Sequence, residues 1–561
     1  MEANRPTSVL IVGGVAAGMS AAARARRLDE HARITVVERG DHVSFANCGL
    51  PYHVGGDIDD ADDLIVHTPE TLRAALGIDV RTRHEAVALD TVARTLTVRT
   101  DAGTRLLHSD ALILAPGARA VRPPIPGLDS PRVRTLRTVE DAAALRAAAD
   151  DGARTALVIG AGFIGVETAE SLARRGMDVS LVDTAPHPLP PLDGDIAHHV
   201  AAELVRLGVD LRTGTAVARI TPGADRDTAT LTDGTTVEAD MIVLATGTVP
   251  DTAVFEDAGI ACERGAIVVD EHGRTSAPGA WAVGDAAQAT DPVTGARRPV
   301  ALAGPTNRAG RLVADDIMRP DTARPLPVPI GTAIAQVGDL TVALTGANHR
   351  DLAASGTGFH TVHLHPKQHA GYFPGAATIH LAVHFRAGDG RLLGAQAVGA
   401  DGVDKRIDVL ATALRAGLAV GDLIDLDLAY APPYSQAKDP VNIAGLVGSN
   451  VLDGTLRLWH AHDLDAVLAE ALVLDVRTRA EYDAGHLDAA MLVPHTELRE
   501  RVGEIRTATA GRPVRVLCES GVRSNLAHRI LAQAGFDSAA LSGGMMTLRA
   551  ALGGRLAAVA H

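Results

Sequence analysis

Only three cysteines occur in 561 residues, Cys48, Cys262 and Cys518, and no two stand close together. That excludes a disulfide framework. It also excludes the neighbouring pair of thiols that would store two electrons as an internal disulfide. Thiols so widely spaced suit a reducing compartment, so a cytoplasmic location is expected. Aromatic residues make up 2% of the chain, with five tyrosines, so each tyrosine is worth placing. Lysine is rarer still: Lys367, Lys405 and Lys438 are the only three, and arginine supplies nearly all the positive charge. The net charge of −15 argues against nucleic acid as a partner, because counterion release needs clustered cations. No apolar run approaches the ~20 residues of a membrane span, so no membrane is expected. The strand pattern Val9 to Val12 comes too early to leave room for a signal peptide, and none is expected.

What is present begins with nucleotide-binding signals. Val9-Leu10-Ile11-Val12 runs into Gly13-Gly14-Val15-Ala16-Ala17-Gly18 and then an alanine-rich helical stretch, and a second strand ends at Glu38. Strand, glycine turn and helix place backbone N–H groups where a pyrophosphate can sit, and a carboxylate at Glu38 can accept from ribose hydroxyls. Val15 stands where a glycine is usual, which weakens the motif taken alone and leaves a plain strand-to-helix turn as the alternative, against which strand, helix and Glu38 are all in place. A second copy is cleaner: Ala156 to Ile159, Gly160-Ala161-Gly162-Phe163-Ile164-Gly165, and a strand ending at Asp183. Two such units mean two nucleotides, most simply FAD and a nicotinamide. Asp183 would repel a 2′-phosphate, which favours NADH over NADPH. Two strands end in glycine turns at Gly117 and Gly247, and Val283-Gly284-Asp285 sets a carboxylate after a buried strand.

These four motifs, in this order, resemble the pyridine nucleotide-disulfide oxidoreductase superfamily from about Val9 to Gly445. The resemblance implies that Gly13, Gly18, Glu38, Arg39, Gly117, Gly284 and Asp285 serve FAD. It implies that Gly160, Gly162, Gly165 and Asp183 serve NAD(P)H, and the Gly247 turn, like that of Gly117, reads as closing the flavin site. Within the superfamily, Ser44-Phe45-Ala46-Asn47-Cys48 with Pro51-Tyr52 resembles the coenzyme A disulfide reductase branch, whose single cysteine forms a mixed disulfide with coenzyme A. The stretches around Tyr372 and Tyr430 resemble those from which tyrosines of that branch reach the partner subunit's active site, which implies a homodimer. A tyrosine hydroxyl can donate to a departing thiolate, and tyrosines also serve as plain interface residues. The resemblance puts Arg24, Arg27, Ser44, Asn47, Asn307 and Arg311 around coenzyme A, although helix arginines also read as a solvated face. Lys405 and Lys438 fit either a geometric need or a surface ion pair. His363, His365 and His369 read as an ordinary polar strand face, and no metal is expected. The acidic run Asp57 to Asp63 reads as a solvated loop.

Past Asn442 the pattern changes. Val514-Arg515-Val516-Leu517 delivers Cys518-Glu519-Ser520-Gly521-Val522-Arg523-Ser524 at a helix start. Such a loop turns its N–H groups inward and favours a thiolate at Cys518. With Leu472 to Arg477, Glu481 to Leu487 and Leu541-Ser542-Gly543-Gly544, the segment resembles a rhodanese domain, which implies Cys518 as the sulfur acceptor and Arg523 as the residue closing the loop. Cys262 reads as structural.

The expected fold is α/β: two doubly wound nucleotide-binding domains, FAD (1–118 and 249–325) and NAD(P)H (119–248), then an α+β dimerisation domain (326–450) and a C-terminal α/β rhodanese domain (455–561). The expected chemistry is NAD(P)H-dependent reduction of coenzyme A disulfide, coenzyme A persulfide or polysulfide through Cys48, with Cys518 handling sulfane sulfur. Two alternatives stay open. One is an NADH oxidase or peroxidase cycling Cys48 through sulfenate, against which Ala16 stands, because that branch carries a histidine in the first glycine turn. The other is a sulfane-sulfur carrier or sensor with slow flavin turnover.

Overall fold

A computed structural model describes residues 7–553 and resolves them into two units, residues 7–186 with 207–329 and residues 187–206 with 330–553. The end of the expected rhodanese segment, 554–561, lies outside the described residues.

In the first unit the apolar runs seen in sequence become two all-parallel sheets. One has the order Ala280–Ala282, Ala111–Leu114, Ser8–Val12, Arg33–Val37, Asp79–Arg81. The other has the order Asp210–Thr213, Asp178–Asp183, Thr155–Ile159, Met241–Leu244, Val133–Arg134. Ser8–Val12 is buried at every position, as a strand covered on both faces must be. Each sheet is accompanied by a three-stranded antiparallel sheet, Glu85–Asp90 to Gly103–His108 and Val217–Thr221 to Thr236–Ala239. The strands Ala118–Ala120 and Thr248–Pro250 pair antiparallel where the chain crosses between the halves. Cys262 sits partly buried in a short hairpin strand against the core around Phe255.

The second unit holds a five-stranded antiparallel sheet, in the order Ala333–Val337, Leu340–Gly346, Leu392–Gly399, Ile379–Arg386, Phe359–Leu364. The helices Val403–Ala416 and Pro440–Leu452 accompany it. A five-stranded parallel sheet follows, Leu458–Trp459, Ser538–Leu541, Val514–Leu517, Leu472–Asp475, Met491–Leu492. Helix Gly194–Arg206 groups with this unit, although in sequence it falls inside the expected NAD(P)H-binding stretch. Its Glu203 accepts the Asp339 N–H at 2.8 Å, and the neighbouring Asp193 takes its N–H to Gln396 at 2.7 Å.

Histidines join the two sheets of this unit, which corrects the polar-strand-face expectation. His363 meets Ser542 Oγ through its backbone N–H at 3.1 Å and its ring Nδ1 at 2.9 Å, and His365 Nε2 lies 2.9 Å from Thr547 Oγ1. His380 Nδ1 stands 2.9 Å from His365 Nδ1, and the His199 ring lies 3.8 Å from that of His380. His369 is buried, with its Nδ1 3.1 Å from the Ala370 carbonyl. Asp195 and Asp193 face His363 and His384 at 3.2 and 2.9 Å. Burial first, and neighbouring imidazoles second, hold His363 and His380 down to about 4 and His199, His365 and His460 down to about 3. Asp195 is pushed up to about 6 by burial and by Asp193. Burial works against ionisation of Asp193 too, but its hydrogen bond from His384 outweighs it and brings the carboxyl down to about 2.

These shifts set a pH dependence. Below about 6.5 the unfolded chain protonates these imidazoles while the folded chain keeps them neutral, so stability falls as pH falls, by up to ~1.4 kcal/mol per histidine per pH unit. Asp193 adds to the loss between about 4 and 2; Asp195, protonated in the folded state below about 6, offsets part of it. Melting temperature should be nearly flat above pH 7 and fall steadily between pH 6.5 and 4, with a shallower acid limb in His365→Gln/His380→Gln. An unchanged melting temperature from pH 8 to pH 5 would contradict this.

Candidate active site

The two glycine turns are built alike. A Cβ on Gly13 would fall 2.0 Å from the Ala115 carbonyl oxygen, and one on Gly160 would fall 2.3 Å from that of Ala245. A Cβ on Gly18 would fall 1.9 Å from Gly13 O, and one on Gly165 would fall 1.8 Å from Gly160 O. No side chain fits at these four positions. Around Gly162, Gly117 and Gly247 a Cβ would meet nothing within 4 Å, which leaves space for a ligand against the backbone. Glu38 accepts the Gly14 and Gly40 N–H groups at 2.8 Å each, and Asp183 accepts those of Ala161 at 2.5 Å and Ala185 at 2.7 Å. Each carboxylate thus stands over its own glycine turn, where a ribose would lie. Arg39 pairs with Asp251. Asp285 follows Gly284, whose φ is +77°, and burial raises its carboxyl against the pull of Arg137. These residues fit a dinucleotide in each half.

Cys48 lies in the 3-10 turn Asn47–Gly49, which leads directly into helix Leu50–Gly55. Just before it Ser44 takes φ +50°, a left-handed conformation costly for serine, held by its N–H to Gly14 O at 2.8 Å and its carbonyl to Val66 N–H at 2.9 Å. Cys48 is exposed and free. Partial withdrawal from water, and then the Glu167 carboxylate, push its thiol pKa up; the same two causes raise Tyr52. Glu167 itself is pushed up to about 7 by burial and by Glu170. It lies on helix Phe163–Arg174, directly after the second glycine turn, and nothing in the motif reading marked it as a neighbour of Cys48.

Among the expected coenzyme A residues, Asn47, Arg27, Asn307 and Arg311 are exposed, and Ser44 is half-buried. Arg24 is committed to Asp315 at 2.6 Å, and Asn307 accepts from Ser20 Oγ at 2.6 Å. The adjacent Arg26 is buried and spends its guanidinium on the carbonyls of Leu76, Gly77, Asp29 and Glu30.

In the second unit Tyr372 and Tyr430 stand with their hydroxyls 3.3 Å apart, both exposed, and Tyr434 beside them is exposed as well. Their loops are anchored by Arg406, which is 1% exposed. Its guanidinium donates to Gln368 O at 2.7 Å, Asp439 Oδ2 at 2.9 Å and Ser435 Oγ at 3.2 Å. Burial opposes ionisation of Asp439, but the Ser435 hydroxyl, the Val441 N–H and Arg406 outweigh it and hold its pKa below the usual range. Lys405 reaches the Ala429 carbonyl at 3.3 Å and pairs with Asp439 at 3.7 Å.

Cys518 is buried, with its Sγ accepting the N–H groups of Gly521 and Ser524 at 3.2 Å each. Arg523 forks onto Glu481 at 2.7 and 2.6 Å, tying the loop to helix Arg479–Asp483, and Glu481 is held far below the usual carboxylate range by that pairing. Glu519 of the loop is gripped by Arg477 and Arg549. Among the described residues no group of three or more His, Cys, Asp or Glu side chains is arranged to hold a metal ion.

Paired dinucleotide folds, a lone cysteine and a second thiol in a closed loop define a flavin- and nicotinamide-dependent sulfur oxidoreductase architecture. The chain belongs to the pyridine nucleotide-disulphide oxidoreductase family, which matches residues 7–302 and is FAD- and NAD(P)H-dependent, with its dimerisation domain at 332–440 and a rhodanese-like domain at 460–551. It is 33% identical to coenzyme A disulfide reductase of Staphylococcus haemolyticus, over 78% of this chain and 98% of that protein. It is 31% identical to an NADH oxidase of Methanocaldococcus jannaschii, over 78% and 97%. The fold matches reduced CoADR-RHD of Bacillus anthracis with a TM-score of 0.95 at 38% identity, covering 98% of this chain and 99% of that one. It matches a NAD-dependent persulfide reductase from A. fulgidus with a TM-score of 0.90 at 37% identity, covering 96% and 99%.

Two outcomes follow from the geometry. Above about pH 7 Glu167 is charged and disfavours the Cys48 thiolate, so Glu167→Gln should speed alkylation of Cys48 at pH 8 by roughly two- to five-fold; an unchanged rate would remove Glu167 from the site. Arg406→Met leaves buried Asp439 without its hydrogen-bonded guanidinium and with only Lys405, at 3.7 Å, as counter-charge, and should cost about 3 kcal/mol in the second unit, read as a lowered melting temperature.

Proposed function

We propose that this chain is a homodimeric enzyme that uses FAD and NADH to reduce coenzyme A disulfide, coenzyme A persulfide or polysulfide at Cys48, in a reducing cytoplasm. One observation carries the reading: Cys48 is an exposed, free thiol, and the other two cysteines of the chain are also unpaired, so any disulfide at Cys48 is made with a small molecule. The balances are NADH + H⁺ + CoAS–SCoA → NAD⁺ + 2 CoASH, and NADH + H⁺ + CoAS–SH → NAD⁺ + CoASH + H₂S. Bound FAD would supply the two-electron chemistry that links hydride to sulfur.

Gly13, Gly18, Glu38, Arg39, Gly117, Gly247, Gly284 and Asp285 would hold FAD, and Gly160, Gly162, Gly165 and Asp183 would hold the nicotinamide nucleotide. The carboxylate of Asp183 beside the Ala161 N–H favours NADH over a 2′-phosphorylated form. Cys48 attacks the substrate sulfur and keeps the acyl-carrier thiol as a mixed disulfide, releasing the second sulfur as a thiol or as sulfide. Tyr372 and Tyr430 of the partner subunit donate to the departing thiolate. Asn47, Ser44, Arg27, Asn307 and Arg311 would meet the coenzyme, while Arg24 would do so only by sharing its guanidinium with Asp315.

At Cys518 two N–H groups on the sulfur hold it in place to accept sulfane sulfur and hand it on as a persulfide. Arg523, locked on Glu481, holds the loop in shape.

The identity to an NADH oxidase supports a second reading, in which Cys48 cycles as a sulfenate. Ala16, in the turn where that branch carries histidine, argues against it. Anaerobic turnover separates the two. Cys48→Ser should lose persulfide and disulfide reduction by at least about 10³-fold, and Cys518→Ser should lose sulfane transfer while keeping disulfide reduction. Mass spectrometry of the purified enzyme should find coenzyme A mass on Cys48. Full persulfide reduction by Cys48→Ser, or oxygen uptake outpacing thiol production, would overturn the proposal.

A further inference from the structure

The helix that follows Cys48 ends in an unusual way. Leu50–Gly55 is six residues long and stops at Gly56, with φ +90°; the N–H groups of Gly56 and Asp57 return to His53 O at 3.2 Å and Tyr52 O at 2.9 Å. Arginines of two other helices add side-chain donors at this end. Arg175 Nη1 donates to Val54 O at 3.1 Å. Arg146 Nη1 donates to His53 O at 3.1 Å and to Ile58 O at 2.9 Å, and its Nη2 reaches Asp59 at 3.4 Å. Arg174 forks onto both oxygens of Asp57 at 3.1 Å. Asp150 steadies the cations from behind, pairing with Arg175 and lying 3.7 Å from Arg146 Nε. The acidic run that reads as a solvated loop is in this respect part of a clamp.

The helices that carry these arginines matter. Arg146 lies on Val139–Asp150, and Arg174 ends Phe163–Arg174, with Arg175 its C-cap. Phe163–Arg174 begins at the second glycine turn, so one rigid strut of about 18 Å has the nicotinamide turn at its N-terminus and the Cys48 helix gripped at its C-terminus. The faces are also in direct contact: a Cβ on Gly55 would lie 3.0 Å from Ser171 Cβ, so any side chain there would push the helices apart. Three cations at the C-terminal end of a helix also meet the negative end of its dipole.

We propose that Arg146 and Arg175 are positioning residues for Cys48: by gripping the last carbonyls of its helix they fix the thiol's place relative to the nicotinamide-binding half. The proposal rests on Cys48 being the reacting thiol. Neither arginine touches the thiol, and the effect passes through the helix backbone. A displacement of the thiol by about 1 Å costs as much as 10²-fold in rate.

The test uses the holoenzyme with Arg146→Gln, Arg175→Gln, the double variant, and the lysine variant at each position. Two NADH-driven reactions are compared: reduction of coenzyme A disulfide, which needs Cys48, and reduction of ferricyanide, which takes electrons without a thiol. Each glutamine variant should lose about ten-fold in kcat for the disulfide and the double variant more. KM for NADH and the ferricyanide rate should stay within about two-fold. The pH profile of Cys48 alkylation should shift in the glutamine variants, and lysine should restore part of the disulfide rate. Unchanged disulfide kcat and alkylation in the double variant would overturn the proposal. So would losses of both reactions in proportion to lost FAD and a lower melting temperature, which mark a merely structural role. Cys48→Ser run in parallel separates the two failures: if it keeps disulfide reduction, the role of Cys48 is wrong, whereas the alkylation profiles still report on the clamp.

Discussion

The first unit depends on one steric constraint, used twice. At Gly13 and at Gly160 the backbone passes so close to the carbonyl of the neighbouring strand end that a Cβ would overlap it, at 2.0 and 2.3 Å. That approach brings the glycine turn, the helix start and the turns at Gly117 and Gly247 to one edge of each sheet, with open space left against the backbone. The carboxylates of Glu38 and Asp183 then fall over the turns by strand register, since each ends the strand next to the one that feeds its turn. Everything the proposed chemistry needs from the nucleotides follows from where those two turns lie.

Much of this was legible from the residues. Apolar runs without alternation announce strands covered on both faces, and the order of four glycine-bearing motifs announces two nested sheets. Val15 in place of a glycine did not spoil the first turn, because Val15 is the residue that opens the helix, with φ −111°, where glycine is not required. The Cys518 loop was legible for the same reason: its geometry is local, a strand end wrapped onto a helix start, and the sulfur meets N–H groups three and six residues on.

What the sequence hid is whatever depends on partners distant along the chain. His363 and His365 look like a polar strand because their partners, Ser542 and Thr547, lie 179 and 182 residues away. Asp57 looks solvated because Arg174 lies 117 residues on. Arg406, one arginine among many, turns out to be the buried node joining the loops of Tyr372 and Tyr430, and only its three-dimensional setting separates it from its surface neighbours. Glu167 belongs to the same class: a helix residue by pattern, a neighbour of Cys48 by packing.

The contact between His365 and His380 has a consequence for where protons sit. Two neutral imidazoles with Nδ1 atoms 2.9 Å apart must differ in tautomer, one donating and the other accepting. If His380 donates, His365 carries its hydrogen on Nε2 and donates to the Thr547 hydroxyl; if His365 donates, that hydroxyl must donate back. The seam between the two sheets therefore has two proton orders of equal charge and opposite direction, and a change at the Thr547 end can be registered at His380 without any net ionisation.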